Sequence, residues 1–234
     1  MLRIENLTKT YGEKRAVDGL SLHIKGGEVY GFIGHNGAGK TTTLKAVCGI
    51  LQFEEGEIFV GGKSVKENPI ACKKEIAYIP DNPDLYGFMT GIQYLQFVAD
   101  VFGMKTAERK DKIEKFANAF ELTSALAQPI STYSHGMKQK LALISGFMHE
   151  PSLIVMDEPF VGLDPKASHT LKGMMRELCN KGGAIFFSTH VLDVAEKLCD
   201  KIAIIKDGKL IKEGTMDEVK GDTSLENVFL ELAE

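Results

Sequence analysis

Five short, uninterrupted apolar runs constrain this chain more than any other feature: Val29–Ile33, Ile76–Ile79, Leu153-Ile154-Val155-Met156, Ala184-Ile185-Phe186-Phe187 and Ile202-Ala203-Ile204-Ile205. Each is too short for a buried helix and too uniformly apolar for a strand with one wet face. Strands covered on both sides, as in a parallel sheet flanked by helices, fit them best. Helical periods lie between the runs. Leu171, Met174, Met175, Leu178 and Cys179 recur at i, i+3, i+4, i+7 and i+8 to form one stripe, and Leu225, Val228, Phe229, Leu232 and Ala233 repeat it near the C-terminus. Asp207-Gly208 between two strand-like runs predicts a tight hairpin. Residues 2–8 and 21–24 alternate polar with apolar, which predicts a small antiparallel sheet. Residues 87–150 differ from the rest: Ile113, Phe116, Ala117 and Phe120 make one stripe, 137–148 has helix composition, and no strand signal stands among them.

The expected fold is therefore α/β with a helical insertion. Residues 1–86 and 151–213 form the core with its antiparallel part, 87–150 the helical subdomain, and 214–234 a C-terminal helical tail. A length of 234 residues suits one domain carrying an insertion. The formal net charge of -4 lacks the basic footprint of a nucleic-acid binder. No uncharged apolar run approaches the roughly 18–20 residues that cross a bilayer, and the first residues hold no apolar signal core. A cytoplasmic chain is expected, with any membrane role exercised through a partner. Cys48, Cys72, Cys179 and Cys199 form no Cys-x-x-Cys pair and read as small buried hydrophobes. His149-Glu150 begins a zinc-protease pattern, but Leu153 stands where the second histidine belongs.

Directly after the first run, Gly34-His35-Asn36-Gly37-Ala38-Gly39-Lys40-Thr41 matches G-x-x-x-x-G-K-[ST] and leads into a helical stretch. Glycines let the backbone wrap so that its N–H groups converge on an anion, and a helix N-terminus adds positive potential. Lys40 would reach the β- and γ-phosphates, and the Thr41 hydroxyl would bind Mg²⁺. Asn36, Gly37, Gly39, Lys40, Thr41 and Thr42 are the candidate nucleotide-binding residues of this loop. A second feature, Leu153-Ile154-Val155-Met156-Asp157-Glu158, delivers two acids at the end of a buried strand, where ligands bind in open α/β sheets. Asp157 suits the Mg²⁺ shell and Glu158 the polarisation of an attacking water. Nucleotide binding and hydrolysis follow from the two together. A GTPase base reader is missing, since Asn180-Lys181-Gly182-Gly183 lacks the aspartate.

Further motifs, in order, bring a family into view. Tyr11 precedes the phosphate loop, Ser134-His135-Gly136-Met137 and Gly162-Leu163-Asp164-Pro165 flank the acidic pair, and Ser188-Thr189-His190 follows it. The chain resembles the ATP-binding subunit of ABC transporters over nearly its whole length. The resemblance implies a P-loop NTPase core of the ABC ATPase type, with a mainly parallel sheet, an N-terminal antiparallel subdomain and an inserted helical subdomain. It implies that Tyr11 stacks on adenine, that Ser134, His135 and Gly136 form the signature loop, that Asp164 belongs to the D-loop, and that His190 is the switch histidine contacting the γ-phosphate. It further implies ATP and Mg²⁺ as ligands and a head-to-tail dimer of the chain. Each ATP would then lie between Lys40, Thr41, Asp157 and Glu158 of one copy and the signature loop of the other.

Residues 78–86 and the long match over 134–165 resemble bacterial ABC-2 and Ecs-type subunits, which serve separately encoded membrane permeases, usually in export. The chain departs from the pattern at three places. Asp81 replaces the Q-loop glutamine; it can still ligate Mg²⁺ as a hard oxygen donor, but it cannot donate a hydrogen bond when ionised. His135 replaces the first signature glycine, placing a titratable group near the partner's phosphates. His35 sits in the phosphate loop where proline is common and reads as a solvent-facing site.

A long uncharged stretch follows Asp81. As a helix from about Gly91, Ile92, Leu95, Ala99 and Phe102 share one face, while Tyr94, Phe97, Val98 and Val101 cover much of another. A helix apolar nearly all round is either buried or shared with a partner. The second alternative makes residues 85–101, with Leu85, Tyr86, Phe88 and Met89, the surface that receives a permease helix and holds the subunit at the inner face of the cell membrane. Two other functional classes stand beside transport: a soluble ABC ATPase in cytosolic assembly of the iron–sulfur type, and a weakly hydrolysing regulatory module.

Overall fold

A computed structural model of the chain describes residues 1–233, and Ala233 by its backbone alone, so the last member of the C-terminal stripe lies outside the described side chains. The chain opens on β1 (Leu2–Tyr11) and β2 (Lys14–Ile24), an antiparallel pair in which Leu2, Ile4 and Leu7 turn inward while Arg3 and Asn6 face solvent. Then come β3 (Val29–Ile33), α1 (Lys40–Val47), β4 (Glu55–Val60) and β5 (Lys63–Ser64). The strands β2-β1-β4-β5 make one antiparallel sheet. The helix α2 (Pro69–Glu75) starts on a proline, whose missing N–H costs nothing in a first turn, and leads into β6 (Ile76–Ile79).

Three helices interrupt the core: α3 (Gly91–Val101), α4 (Thr106–Ala119) and α5 (His135–Met148). The core resumes with β7 (Leu153–Asp157), α6 (Pro165–Asn180), β8 (Ala184–Thr189), α7 (Leu192–Leu198), β9 (Lys201–Lys206) and β10 (Lys209–Thr215), and closes on α8 (Met216–Lys220) and α9 (Leu225–Ala233). All five apolar runs are strands of a six-stranded sheet of order β10-β9-β3-β8-β7-β6, parallel throughout except for the β9–β10 pair.

The continuous apolarity of those runs has a direct cause. Val29, Ile33, Ile154, Met156, Ile185 and Phe187 point into one core with α5 and α6. Tyr30, Phe32, Val155, Ala184 and Phe186 point into a second core, roofed by α1 and the antiparallel sheet. With both faces dry, every position must be apolar. Each fully buried side chain contributes about 1.5–3 kcal/mol relative to exposure. The β9–β10 turn uses Asp207 at φ 48° and Gly208 at φ 80°, two consecutive left-handed residues that give a two-residue hairpin its twist.

In the insertion, Ile113, Phe116, Ala117 and Phe120 are buried as one stripe. Thr90 and Gln93 close a reciprocal capping box that fixes where α3 begins. The helix α5 starts in the insertion but ends under the sheet, where a Cβ on Gly146 would stand 3.0 Å from Ile79 Cδ1. The last strand, β10, runs two residues past 213. All four cysteines are buried and free, and burial pushes the Cys179 thiol up to about 11. Among the described residues no helix is long and apolar enough to cross a membrane.

Candidate functional site

Parallel pairing brings the exits of β6, β7, β8 and β3 to one edge of the sheet, with Asp157 beside Ser188 and Ile33 beside Thr189 in register. Open α/β sheets bind ligands at this carboxyl edge. A cleft of about 310 Å³ opens there, lined by Tyr11, Lys14, Ala16, Asn36, Gly37, Gly39, Lys40, Thr41, Thr42, Asp81, Asp157 and Glu158.

The phosphate loop owes its shape to glycine. Gly37 and Gly39 take φ of 81° and 106°, and a Cβ on Gly39 would fall 2.3 Å from the Ala16 carbonyl oxygen. Lys40 is only 6% exposed; its Nζ donates to the carbonyl oxygens of Gly34 (2.6 Å) and His35 (3.1 Å). Burial holds its pKa below the ordinary lysine range, against the opposing pull of Glu158 and Asp157. A phosphate brought to Nζ supplies the counter-charge that burial makes valuable. No acidic residue stands in the first turn of α1, so the positive end of that helix meets the cleft without a counter-charge of its own.

Asp157 is buried and gripped through both oxygens: Thr41 Oγ1 donates to Oδ2 at 2.5 Å and Ser188 Oγ donates to Oδ1. Glu158 leaves the strand with φ 48°, a left-handed conformation costly for a non-glycine residue, and its N–H donates to Ser188 Oγ at 3.1 Å. Its side chain meets His190: the imidazole Nδ1 lies 2.9 Å from Oε1, and the His190 N–H donates to Oε2 at 3.3 Å. Oε1 is buried and its contact with Nδ1 lacks hydrogen-bond geometry. A carboxylate at this strand exit is of the type that takes a water proton, and His190 stands directly against it.

A magnesium ion suits this donor set. The Thr41 hydroxyl and the carboxylates of Asp157 and Asp81 are hard oxygens on one wall of the cleft. Among the described residues no group of three or more His, Cys, Asp or Glu gathers for a metal, so nucleotide oxygens would complete the shell, the usual arrangement for magnesium. Asp81 is exposed, and its Oδ1 accepts the N–H of Asn82 at 2.8 Å. Tyr11 is 51% exposed at the end of β1, with Lys9 Nζ 5.3 Å from its ring centroid.

Five expected residues lie outside the lining of the cleft: His190, which stands against Glu158, and four on the α5 and α6 starts. Ser134 caps α5, accepting the Met137 N–H at 3.3 Å, and His135 and Gly136 follow it in the first turn. Asp164 caps α6, accepting the Ala167 N–H at 2.8 Å, and pairs with Lys140 Nζ at 2.7 Å; that ammonium holds its carboxyl below the usual range. His35 is exposed as expected, yet its ring is 4.6 Å from that of Phe229 on α9, a long-range contact no local pattern announces. Lys14 and Ala16 line the cleft without a sequence signal. The grip of Ser188 on Asp157 was hidden in a motif read only for its histidine. A larger hollow of about 510 Å³ at the opposite end of the strands holds Lys115, Lys181, Glu150 and Glu177, whose charges pair among themselves and with Lys112.

Residues 17–161 match the family described as ABC transporter. The chain belongs to that family. The linearmycin resistance ATP-binding protein LnrL of Bacillus subtilis (strain 168) is 34% identical over 230 residues, 97% of this chain and 74% of that protein. The ABC-type transporter ATP-binding protein EcsA of the same organism is 32% identical over 237 residues, 99% of this chain and 96% of EcsA. A solved ATP binding subunit of an ABC transporter superposes with a TM-score of 0.96 at 33% identity, covering both chains completely. This ABC chain is an ATP-binding subunit and an ATPase by class.

Proposed function

We propose that this subunit hydrolyses ATP with Mg²⁺ inside a head-to-tail dimer and so drives a separate membrane permease of the ABC-2 type in export. One observation carries the reading. The cleft holds a phosphate loop, a gripped aspartate and a glutamate set against His190, while Ser134, His135 and Asp164 stand exposed, and Gly136 half-buried, outside its lining. A second copy turned head to tail brings those residues to the open side of the nucleotide.

Within the cleft, Lys40 turns from the Gly34 and His35 carbonyls to the phosphates, a charge-assisted exchange worth about 1.5–3 kcal/mol. Thr41, Asp157 and Asp81 would hold a magnesium ion, which would neutralise phosphate charge there. The Glu158 carboxylate accepts the water proton, a role worth typically about 10²–10⁴ in rate. His190, already against that carboxylate, fixes its orientation. Tyr11 offers a half-exposed ring to the base.

The permease meets residues 85–101. Phe88 is 83% exposed and Val101 62%, and the Tyr86 ring lies 5.8 Å from both Phe88 and Phe97. The other face of α3 is spoken for, since Leu95 and Ala99 are fully buried. An exposed aromatic cluster beside a buried stripe suits a helix from a partner. The patch follows the cleft residue Asp81 in the chain, and a permease docked there would hold the subunit at the cytoplasmic face of the membrane. The names of LnrL and EcsA favour transport over cytosolic assembly, and resistance favours export.

The test is the Glu158→Gln chain in light scattering with ATP and Mg²⁺. A dimer that reverts to monomer when nucleotide is removed is expected. A chain that binds ATP yet stays monomeric, with permease present or not, contradicts the proposal.

A further inference from the structure

The first turns of α5 and the loop 158–164 are held together along one helix side. A Cβ placed on Gly162, which has φ +78°, would come 2.5 Å from His135 Cδ2 and 3.0 Å from His135 Nε2. The imidazole edge therefore rests on the D-loop of its own chain. A Cβ on Gly136 would come 2.6 Å from the Gly162 carbonyl oxygen. One turn later, Gln139 is fully buried and its Nε2 donates to the Pro159 carbonyl at 3.4 Å, while its Oε1 has no hydrogen-bond partner. Lys140 reaches Asp164. Positions 135, 136, 139 and 140 form one face of the helix, and that whole face is spent on the seven residues after the catalytic strand.

We propose that His135 is a positioning residue that clamps the signature turn to the D-loop, so that both enter the neighbouring copy's nucleotide site as one body. The inference rests on the two-chain site proposed above and adds to it a physical route between the sites. Glu158 opens the clamped loop in one cleft, Gln139 holds the next residue, Pro159, and His135 and Lys140 hold its far end. A shift at Glu158 on nucleotide binding is carried to the turn that serves the other ATP. The ring that the sequence places near the partner's phosphates, as a charge or as a space-filler, lies in the structure against Gly162.

Two substitutions separate clamp from charge. His135→Ala removes the ring and raises helix propensity, so any loss cannot come from a weakened α5. His135→Phe keeps a flat ring without a titrating group. Steady-state phosphate release by the full chain should show kcat about tenfold lower in His135→Ala, the scale of a small misplacement. Its Hill coefficient should fall from about 2, the number of coupled sites, to roughly 1. ATP affinity of the monomeric cleft should be unchanged. His135→Phe should keep kcat within about threefold and the cooperativity intact. Gly162→Ala should displace the ring and mimic His135→Ala, and the two together should lose no more kcat than the worse single variant.

A His135→Phe chain as impaired as His135→Ala shows that the ring's shape is not what matters and overturns the clamp. Unchanged cooperativity in His135→Ala, or multiplied losses in the double variant, overturns it equally. If Glu158→Gln dimerises with ATP in those outcomes, the two-chain site survives and only the clamp is lost; if Glu158→Gln stays monomeric, both fall.

Discussion

Lys40 spends its ammonium on two carbonyls of the very loop that should hold phosphate, in a setting that lowers its pKa by burial. That contact exchanges for a stronger one when an anion arrives. Lys40→Ala should weaken ATP binding about 10–100-fold, the equivalent of one charge-assisted contact, in a titration with a fluorescent nucleotide. An unaltered Kd would contradict the assignment of the loop. Asp81→Asn removes one hard anionic oxygen from the cleft wall. The Mg²⁺ concentration giving half-maximal hydrolysis should rise about threefold to tenfold, with ATP binding in EDTA unchanged. At this scale the sequence shows which residue types gather at the strand exits: loop, lysine, threonine and acids line the cleft, with His190 beside Glu158. It does not show which way a side chain turns. His135 lies on Gly162 and His35 beside Phe229 because folding brings distant segments there.

Elements were legible where the burial pattern is decided by topology alone. The five runs are uninterruptedly apolar because each lies in a sheet with two covered faces, and the α6 stripe is buried residue for residue. Where one helix serves two neighbours the sequence says less. The helix α3 mixes a buried stripe with an exposed aromatic one, and α5 passes from the insertion to the sheet.

The end of α5 also carries a pH dependence. His149 stacks on Phe102, ring centroids 3.7 Å apart, its Nδ1 is 3.2 Å from the Ser145 carbonyl oxygen, and its Nε2 has no partner. Burial, helped by the nearby Lys112, holds its pKa below the ordinary 6.5. The unfolded chain thus binds the proton more readily than the folded one. Stability from this group is full above about pH 6.5 and declines as pH falls toward the lower folded value. The melting temperature should drop between pH 7.5 and 5.5, and His149→Leu should flatten that part of the profile. A profile unchanged by the substitution would place the titration elsewhere. Overpacking gives a second handle: Gly146→Leu, set against Ile79, should cost about 1–3 kcal/mol in a denaturant titration.

At the scale of the molecule, the proposed two-copy site would join the cleft to a signature turn that lies outside the cleft lining, and the aromatic patch at residues 85–101 is left exposed by the chain's own core. Separate substitutions should address the two. Phe88→Asp alters a side chain that is 83% exposed, so folding should be untouched while copurification of the permease is lost. Retention of the permease would move docking away from residues 85–101. Motif order is the same whether a site is completed in one chain or between two, so the two-copy expectation comes from the family resemblance and not from the spacing of the motifs.

The central claim is that each nucleotide is enclosed by two copies, and mixing two inactive variants tests it most directly. Lys40→Ala spoils only the cleft and Ser134→Arg only the signature turn. In a head-to-tail pair of one of each, one site inherits both defects and the other inherits neither. Mixing equal amounts should restore phosphate release above either parent, to at most about a quarter of the unsubstituted rate if copies pair at random. A mixture that hydrolyses ATP no faster than the average of its two parents, while still forming pairs, would show that the neighbouring chain contributes nothing to the reaction.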